Sequence, residues 1–303
     1  MSFNVISLFS GCGGSSLGYQ LAGGKILLAV EWDQNAVDTY RLNFPNTTVW
    51  HGDIAQLSTD EILNVIELEP GQLDILDGSP PCQGFSTAGK RILDDPRNSL
   101  FQEYVRILKA LQPKVLVMEN VSGMVKGKMK LVFVEILKAL KESGYNVRAR
   151  LLNAMYFNVP QSRQRMIFIG TRKDLDISPS HPKPQTRPIA CGKFKLLDGR
   201  VIPEKSAKRI LNSGRYRKVD EKKPIPTIQK RSCGLQNDGL YWQNKERLVE
   251  VSPNEMKRLS SFPESYRFYG DKLRIAARIG NSVPPNFMRA IAEHVRDEIL
   301  KIS

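Results

Sequence analysis

A chain of 303 residues, 41% hydrophobic and 25% charged, has the apolar material for one α/β core and a smaller lobe. No stretch is apolar for long enough to span a bilayer, and the opening Met-Ser-Phe-Asn-Val-Ile-Ser-Leu-Phe lacks the basic start of a secretory leader, so a cytoplasmic protein is expected. The formal charge of +14 is uneven: Arg172 to Arg247 holds 19 Lys and Arg against 8 Asp and Glu, with seven of the 18 prolines, which suggests a polyanion partner over a merely solvated surface.

Val5 to Phe9 reads as a first strand. It runs into Ser10-Gly11-Cys12-Gly13-Gly14 and then a helical stretch, Ser15 to Ala22. Strand, glycine turn and helix form a nucleotide-binding opening, because glycines let the backbone approach a ligand closely. A nicotinamide fingerprint needs Gly-x-Gly-x-x-Gly, and here the sixth position is Ser16, which disfavours a dinucleotide. Ile26 to Val30 is a second strand ending in Glu31-Trp32-Asp33. An acid there, 20 residues after Gly11, suits a ribose diol, and Trp32 offers a flat face to a base. Asp33 precedes a helical pattern, Asn35 to Asn43, and fits its N-cap, which leaves Glu31 for the ribose. Val49 to Gly52 is a third short strand. Asp53 after it is either an ordinary turn residue or an acceptor for an adenine amino group. Together these strand tips describe a pocket for an adenosine-containing ligand. The phosphate-binding Gly-x-x-x-x-Gly-Lys is absent, so S-adenosylmethionine fits and ATP does not.

The apolar run Leu73 to Leu76 reads as a buried strand ended by Gly78, Pro80 and Pro81. Cys82 follows, a thiol on a stiff arm at the end of a strand, where ligands of open α/β sheets bind. A lone thiol is more often a small buried hydrophobe. Four cysteines (Cys12, Cys82, Cys191 and Cys233) without a Cys-x-x-Cys pair, and only three histidines, argue against a metal site and a disulfide framework. Pro-Pro-Cys-Gln after a strand favours a nucleophile. Ser86 to Asn98, with Lys90, Arg91 and Arg97, reads as a mobile loop able to close over substrate. Ser99 to Leu111 has helical spacing.

Val115 to Met118 is the next strand and ends in Glu119-Asn120-Val121. Its carboxylate lies beside the Cys82 loop if the two strands are neighbours; the alternative is a helix-capping turn. Met129 to Ser143 is an amphipathic helix, and Val147 to Leu152 and Met166 to Gly170 are strands. Between them, Arg163 and Arg165 alternate onto one face of an extended segment, so one can reach substrate while the other supports the site. Their charge also draws a thiol pKa of ~8.5 towards neutrality. Segment 172 to 247 lacks periodicity and reads as loops and short strands. In it Lys218, Lys230 and Arg231 suit phosphates, while Thr227, Gln229 and Gln236 suit base edges. Ser252-Pro253-Asn254-Glu255 is a capping box, and Phe262-Pro263 ends that helix. Gly280-Asn281-Ser282-Val283-Pro284-Pro285 leads into a last helix, Asn286 to Leu300.

In this order the motifs resemble those of the bacterial DNA (cytosine-5-)-methyltransferases, over residues 4 to 300 apart from the basic segment. Phe9-Ser10-Gly11-Cys12-Gly13-Gly14 looks like the family's cofactor turn, Glu31-Trp32 its ribose step and Asp53-Ile54 its adenine contact. Pro81-Cys82-Gln83 resembles the nucleophile motif, Glu119-Asn120-Val121 the acid motif, and Gln161, Arg163 and Arg165 the Gln-x-Arg-x-Arg motif. Gly280-Asn281-Ser282-Val283 resembles the last motif, which returns to the cofactor pocket.

The resemblance implies a Rossmann-like α/β fold with a mixed sheet and a smaller, loop-rich target recognition domain. It implies a catalytic and cofactor domain over 1–175, a recognition domain over 176–249, and a hinge with C-terminal helix over 250–303. It implies S-adenosylmethionine held by the cofactor turn, Glu31, Trp32, Asp53, Ile54, Pro81, Asn281, Ser282 and Val283. Cys82, Glu119, Arg163 and Arg165 would carry the chemistry. Pro81, Gln83, Ser86, Asn120, Gln161, Arg163, Thr227, Lys230 and Arg231 would meet the substrate. The partner implied is double-stranded DNA, with a cognate restriction endonuclease possible in the host; a monomer is expected, in the cytoplasm on the nucleoid. Two positions depart from the pattern: Ser7, where the family usually has Asp, and Ser10, where Ala is commoner. The family's RNA-acting branch carries a Cys-Phe-Thr signature; Cys191 and Cys233 are each followed by Gly, which favours DNA.

Overall fold

The computed structural model describes residues 2–81, 99–125, 127, 129–213, 217–233, 239–244 and 247–302. Its first half alternates strand and helix: β1 (Phe3–Leu8), α1 (Gly14–Leu21), β2 (Gly24–Glu31), α2 (Gln34–Asn43), β3 (Thr48–His51), α3 (Thr59–Ile66) and β4 (Ile75–Gly78). There follow α4 (Ser99–Leu111), β5 (Val115–Val121), α5 (Met129–Glu142), β6 (Tyr145–Asn153), β7 (Gln161–Ser162) and β8 (Gln164–Arg172). Seven of these strands form one sheet in the order β3-β2-β1-β4-β5-β8-β6. β1 to β5 are parallel, so their C-terminal ends share one edge, whereas β8 runs antiparallel to both β5 and β6. The connection order reverses between β1 and β4, which opens a crevice at that edge.

Alternation along β1 sends Ile6 and Leu8 to one face and Val5 to the other. The first face packs under α3, α4 and α5, through Ile62, Ile107, Leu108 and Ile136. The second packs under α1 and the C-terminal α9 (Pro285–Glu298), through Tyr19, Phe287, Met288 and Ile291. With both faces covered, the central strands are mostly apolar, as buried parallel strands are, with Ser7 in β1, Asp77 in β4, and Glu119 and Asn120 in β5 as buried polar exceptions.

The smaller lobe contains α6 (Glu204–Ser213), β9 (Arg217–Lys218), β10 (Ile225–Pro226), β11 (Leu240–Asn244) and β12 (Arg247–Glu250). Val219, Ile228, Leu240, Trp242 and Val249 form its core with Met256 and Leu259 of α7 (Pro253–Leu259) and Ala276 and Ile279 of α8 (Lys272–Asn281). Two differences from the sequence reading stand out. The apolar run at Leu73 begins too early: the ladder runs from Ile75 to Gly78, because β1 and β5 flank those residues on both sides. Helices α6 and α8 were not expected; their apolar positions are few and meaningful only against the lobe.

Candidate active site

The C-terminal edge of β1 to β5 borders a cavity of about 840 Å³. Its first wall is the glycine turn. Phe9 and Gly11 both adopt left-handed backbone, at φ 56° and 55°, and turn the chain out of β1. Gly11 is open around its α-carbon, so a ligand can approach there. Gly14 has another reason to be small: a β-carbon would lie 2.0 Å from Ser282 Oγ and 2.4 Å from the Val283 carbonyl. The C-terminal motif thus seats on the turn, and Asn281, Ser282 and Val283 line the cavity beside Phe9, Ser10, Gly11 and Cys12. Cys12 is inert as a nucleophile, since burial pushes its thiol up to about 11.

Glu31 ends β2 as a nearly buried carboxylate. It accepts the N–H of Gly11 at 2.8 Å, of Trp32 at 3.0 Å and of Asp33 at 2.9 Å. Both oxygens are thereby aimed before any ligand arrives. Asp33 is the N-cap of α2, through the Ala36 N–H at 3.1 Å, and pairs with Arg278 at 2.9 Å. Trp32 is 78% exposed and is part of the cavity wall. Asp53 caps the short turn Ile54–Gln56 by accepting from Ala55, and Asp53 and Ile54 line the same wall.

The second wall lies at β4 and β5. Parallel register pairs Gly78 with Met118, so Pro80 and Pro81 leave β4 beside Glu119 and Asn120. Asn120 Nδ2 donates to the Pro80 carbonyl at 3.1 Å, which ties the proline arm to β5. The Glu119 carboxylate meets Arg165 Nε at 2.6 Å. Cys82, Gln83, Ser86, Lys90, Arg91 and Arg97 lie outside the described residues, as does Gln236.

The two arginines divide their work. Arg165 serves the acid. Arg163, between β7 and β8, is 2% exposed and donates to the carbonyls of Ile228 and Gly280, both at 3.0 Å, joining that link to the lobe and to α8. Burial, then the like charge of Arg165, lowers its pKa to about 9. Gln161 was expected at the substrate, but it is wholly buried. Its amide donates to Ser260 Oγ and accepts from the Ile228 N–H. Thr227 likewise gives its hydroxyl to the Ser162 carbonyl. Gln229, Lys230 and Arg231 are exposed, as is Lys218, and Lys230 reaches the cavity. Gly280 lets this segment pass: a β-carbon there would stand 2.3 Å from the Gln229 carbonyl carbon.

Sequence reasoning missed Asp77, Ser15 and Arg278, all on the cavity wall. Asp77 was hidden inside a strand, and Ser7 had no visible partner until register placed the two side by side.

The geometry is matched by comparison with known proteins. The model of the family "C-5 cytosine-specific DNA methylase" matches residues 3–193 and 191–297. The chain is 36% identical to Type II methyltransferase M1.HphI of Haemophilus parahaemolyticus, over 97% of this chain and 87% of that one. It is 31% identical to Type II methyltransferase M.NgoPII of Neisseria gonorrhoeae, over 96% and 95%. In fold it is similar to the Entamoeba histolytica methyltransferase EhMeth, with a TM-score of 0.79 at 20% identity over 99% of both chains. A cavity at the strand-order reversal, an arginine-held acid at the tip of β5 and a family match along nearly the whole length lead to one conclusion: the chain belongs to the C-5 cytosine-specific DNA methylases.

Proposed function

We propose that this enzyme transfers a methyl group from S-adenosylmethionine to carbon 5 of a cytosine turned out of a short, specific duplex DNA sequence. The observation that carries the reading is a single cavity with an oriented ribose-type acid, Glu31, at one end and the Arg165-held Glu119 beside the proline arm at the other. The cavity fits the cofactor: backbone N–H groups set Glu31 for a diol, Trp32 presents an open ring, and Asp53 and Ile54 complete the base end. S-adenosylmethionine, when bound, supplies an electrophilic methyl on its sulfonium.

The chain's own residues do the rest. Cytosine is a poor carbon nucleophile until its ring is made electron-rich. The Cys82 thiolate forms a bond to ring carbon 6, and the electrons move towards nitrogen 3, which Glu119 holds. Carbon 5 then accepts the methyl, loses its proton, and the electrons return to expel Cys82. Arg165 fixes the Glu119 carboxylate, and Asn120 fixes the arm that bears Cys82. The base must leave the stack to reach this centre. The lobe over 176–249 is the recognition domain, with Lys230 and Arg231 at phosphates, and the protein acts as a monomer. A restriction partner in the host accords with the Type II names of its relatives, and a place on the nucleoid follows from a DNA substrate.

Duplex DNA containing 5-fluorocytosine tests the reading, because carbon 5 cannot release fluorine. A cofactor-dependent covalent adduct is expected with the wild-type protein and none with Cys82→Ala. Methylation by Cys82→Ala, or methyl incorporation into tRNA in preference to duplex DNA, would overturn it.

A further inference from the structure

The mechanism leaves one buried acid unused. Asp77, near the end of β4, is 2% exposed yet borders the cavity. Three hydroxyls donate to it: Ser7 Oγ at 3.0 Å, Ser15 Oγ at 2.8 Å and Tyr19 OH at 3.2 Å. They come from β1 and from the first two turns of α1. No Lys, Arg or His among the described residues pairs with it. The other titratable groups around it are Tyr19 of α1, Tyr40 of α2, Tyr104 of α4 and Glu119 of β5, and Glu119 carries the same sign. The cavity's arginines are engaged elsewhere: Arg165 on Glu119, Arg278 on Asp33, and Arg163 on two carbonyls.

A buried carboxylate without a cation is costly, so its retention on a ligand-binding wall calls for a positive partner. Position favours the ligand as that partner. The adenosine rim occupies the tips of β2 and β3, and the reacting centre those of β4 and β5. A ligand spanning the two lays its amino-acid end near β1 and β4. Ser7 fits the same view: where the family usually has an acid, this chain has a hydroxyl that donates to an acid one strand over.

We infer that Asp77 is the counter-ion for the amino-acid end of the cofactor, accepting from its α-ammonium group, and that it sets affinity for ligands carrying that group. The inference rests on the cofactor pocket proposed above. It has a pH signature. Burial, opposed by the three hydroxyls, raises Asp77 to about 7. In the free enzyme near neutral pH its protonated form is therefore populated, and binding of an ammonium expels that proton.

Titration calorimetry on the wild-type protein and Asp77→Asn, with S-adenosylmethionine, S-adenosylhomocysteine and 5′-methylthioadenosine, tests this; the last ligand lacks the amino-acid end. Asn should weaken the first two about tenfold or more and leave the third within about twofold. Wild-type affinity for the first two should fall about fivefold from pH 7 to pH 6, below the range near ~8 where an α-amino group titrates. A loss for S-adenosylmethionine alone assigns Asp77 to the sulfonium and overturns the ammonium contact. Unchanged affinities for all three overturn it as well. Should the variant lose methylthioadenosine too, wild-type proton release decides: release with S-adenosylhomocysteine and none with methylthioadenosine supports the inference, and equal release refutes it. A wild-type protein that binds none of the three breaks the cofactor reading instead.

Discussion

The rim at the tips of β1 to β3 and the lobe beyond β8 are held by different kinds of bond. In the rim, most partners are near in sequence: Glu31 accepts from Trp32 and Asp33, Asp33 caps α2 through Ala36, and Asp53 accepts from Ala55, while Gly11 to Glu31 and Arg278 to Asp33 are the longer reaches. In the lobe they are far apart: Arg163 reaches Ile228 and Gly280, and Gln161 reaches Ile228 and Ser260. The rim is thus largely a property of the sheet edge, braced from outside by Arg278. The lobe is positioned by a few buried polar side chains from β7 and the residue that links it to β8. A substitution in the second set should disturb far more than its own neighbourhood.

The sharpest way to break that contrast is Arg163→Met. It leaves two buried carbonyls without donors, at ~1–3 kcal/mol each, and loses packed volume. Urea denaturation should show a loss of about 3–5 kcal/mol; a loss under about 1 kcal/mol would mean that the lobe is held by other means.

Next in size is the pH dependence set by Asp77. Its folded pKa, about 7, lies above the unfolded value of ~3.9. Relative to Asp77→Asn, its contribution is fully present below pH ~4 and disappears as pH rises through 7, a swing of roughly 4 kcal/mol at most. Denaturation of both proteins at pH 4, 6 and 8 should therefore show the variant gaining on the wild type as pH rises. Parallel curves would place the acid in contact with water.

Two glycines then separate packing from backbone strain. Gly280→Ala pushes a methyl into the Gln229 carbonyl and should cost about 2 kcal/mol. Gly11→Ala meets no neighbour but must hold φ 55°, for about 1 kcal/mol. Thermal denaturation of the pair gives the order, and a larger loss at Gly11 would reverse the assignment of strain to the lobe crossing.

The smallest effect on stability belongs to Lys230→Ala with Arg231→Ala, within about 0.5 kcal/mol because both residues are exposed. Binding of duplex DNA should nevertheless lose about 2 units of salt slope if each meets a phosphate. An unchanged slope would remove these two from the DNA-facing surface.

Most of the parallel half of the fold, α3 apart, was legible in the residues. Strand, glycine turn and helix at Val5 to Ala22, the acid at Glu31, the cap at Asp33 and the capping box at Ser252 are local patterns, set by period, turn chemistry and hydrogen-bond reach within a few residues. α6 and α8 were not legible, because their short apolar faces acquire meaning only against Trp242 and its neighbours. The same holds for Gln161, whose polar side chain reads as available for substrate until the fold surrounds it.

By itself, then, the order of residues determined which groups are present: a glycine turn, acids at Glu31, Asp53 and Glu119, a thiol after two prolines, and two arginines. Only the tertiary structure decided which arginine serves the acid and which ties in the lobe, and that the serine at position 7 stands beside a buried aspartate 70 residues away. Those choices depend on strand order and register, which pair residues across long separations and are set by the sum of all the packing, not by any one segment.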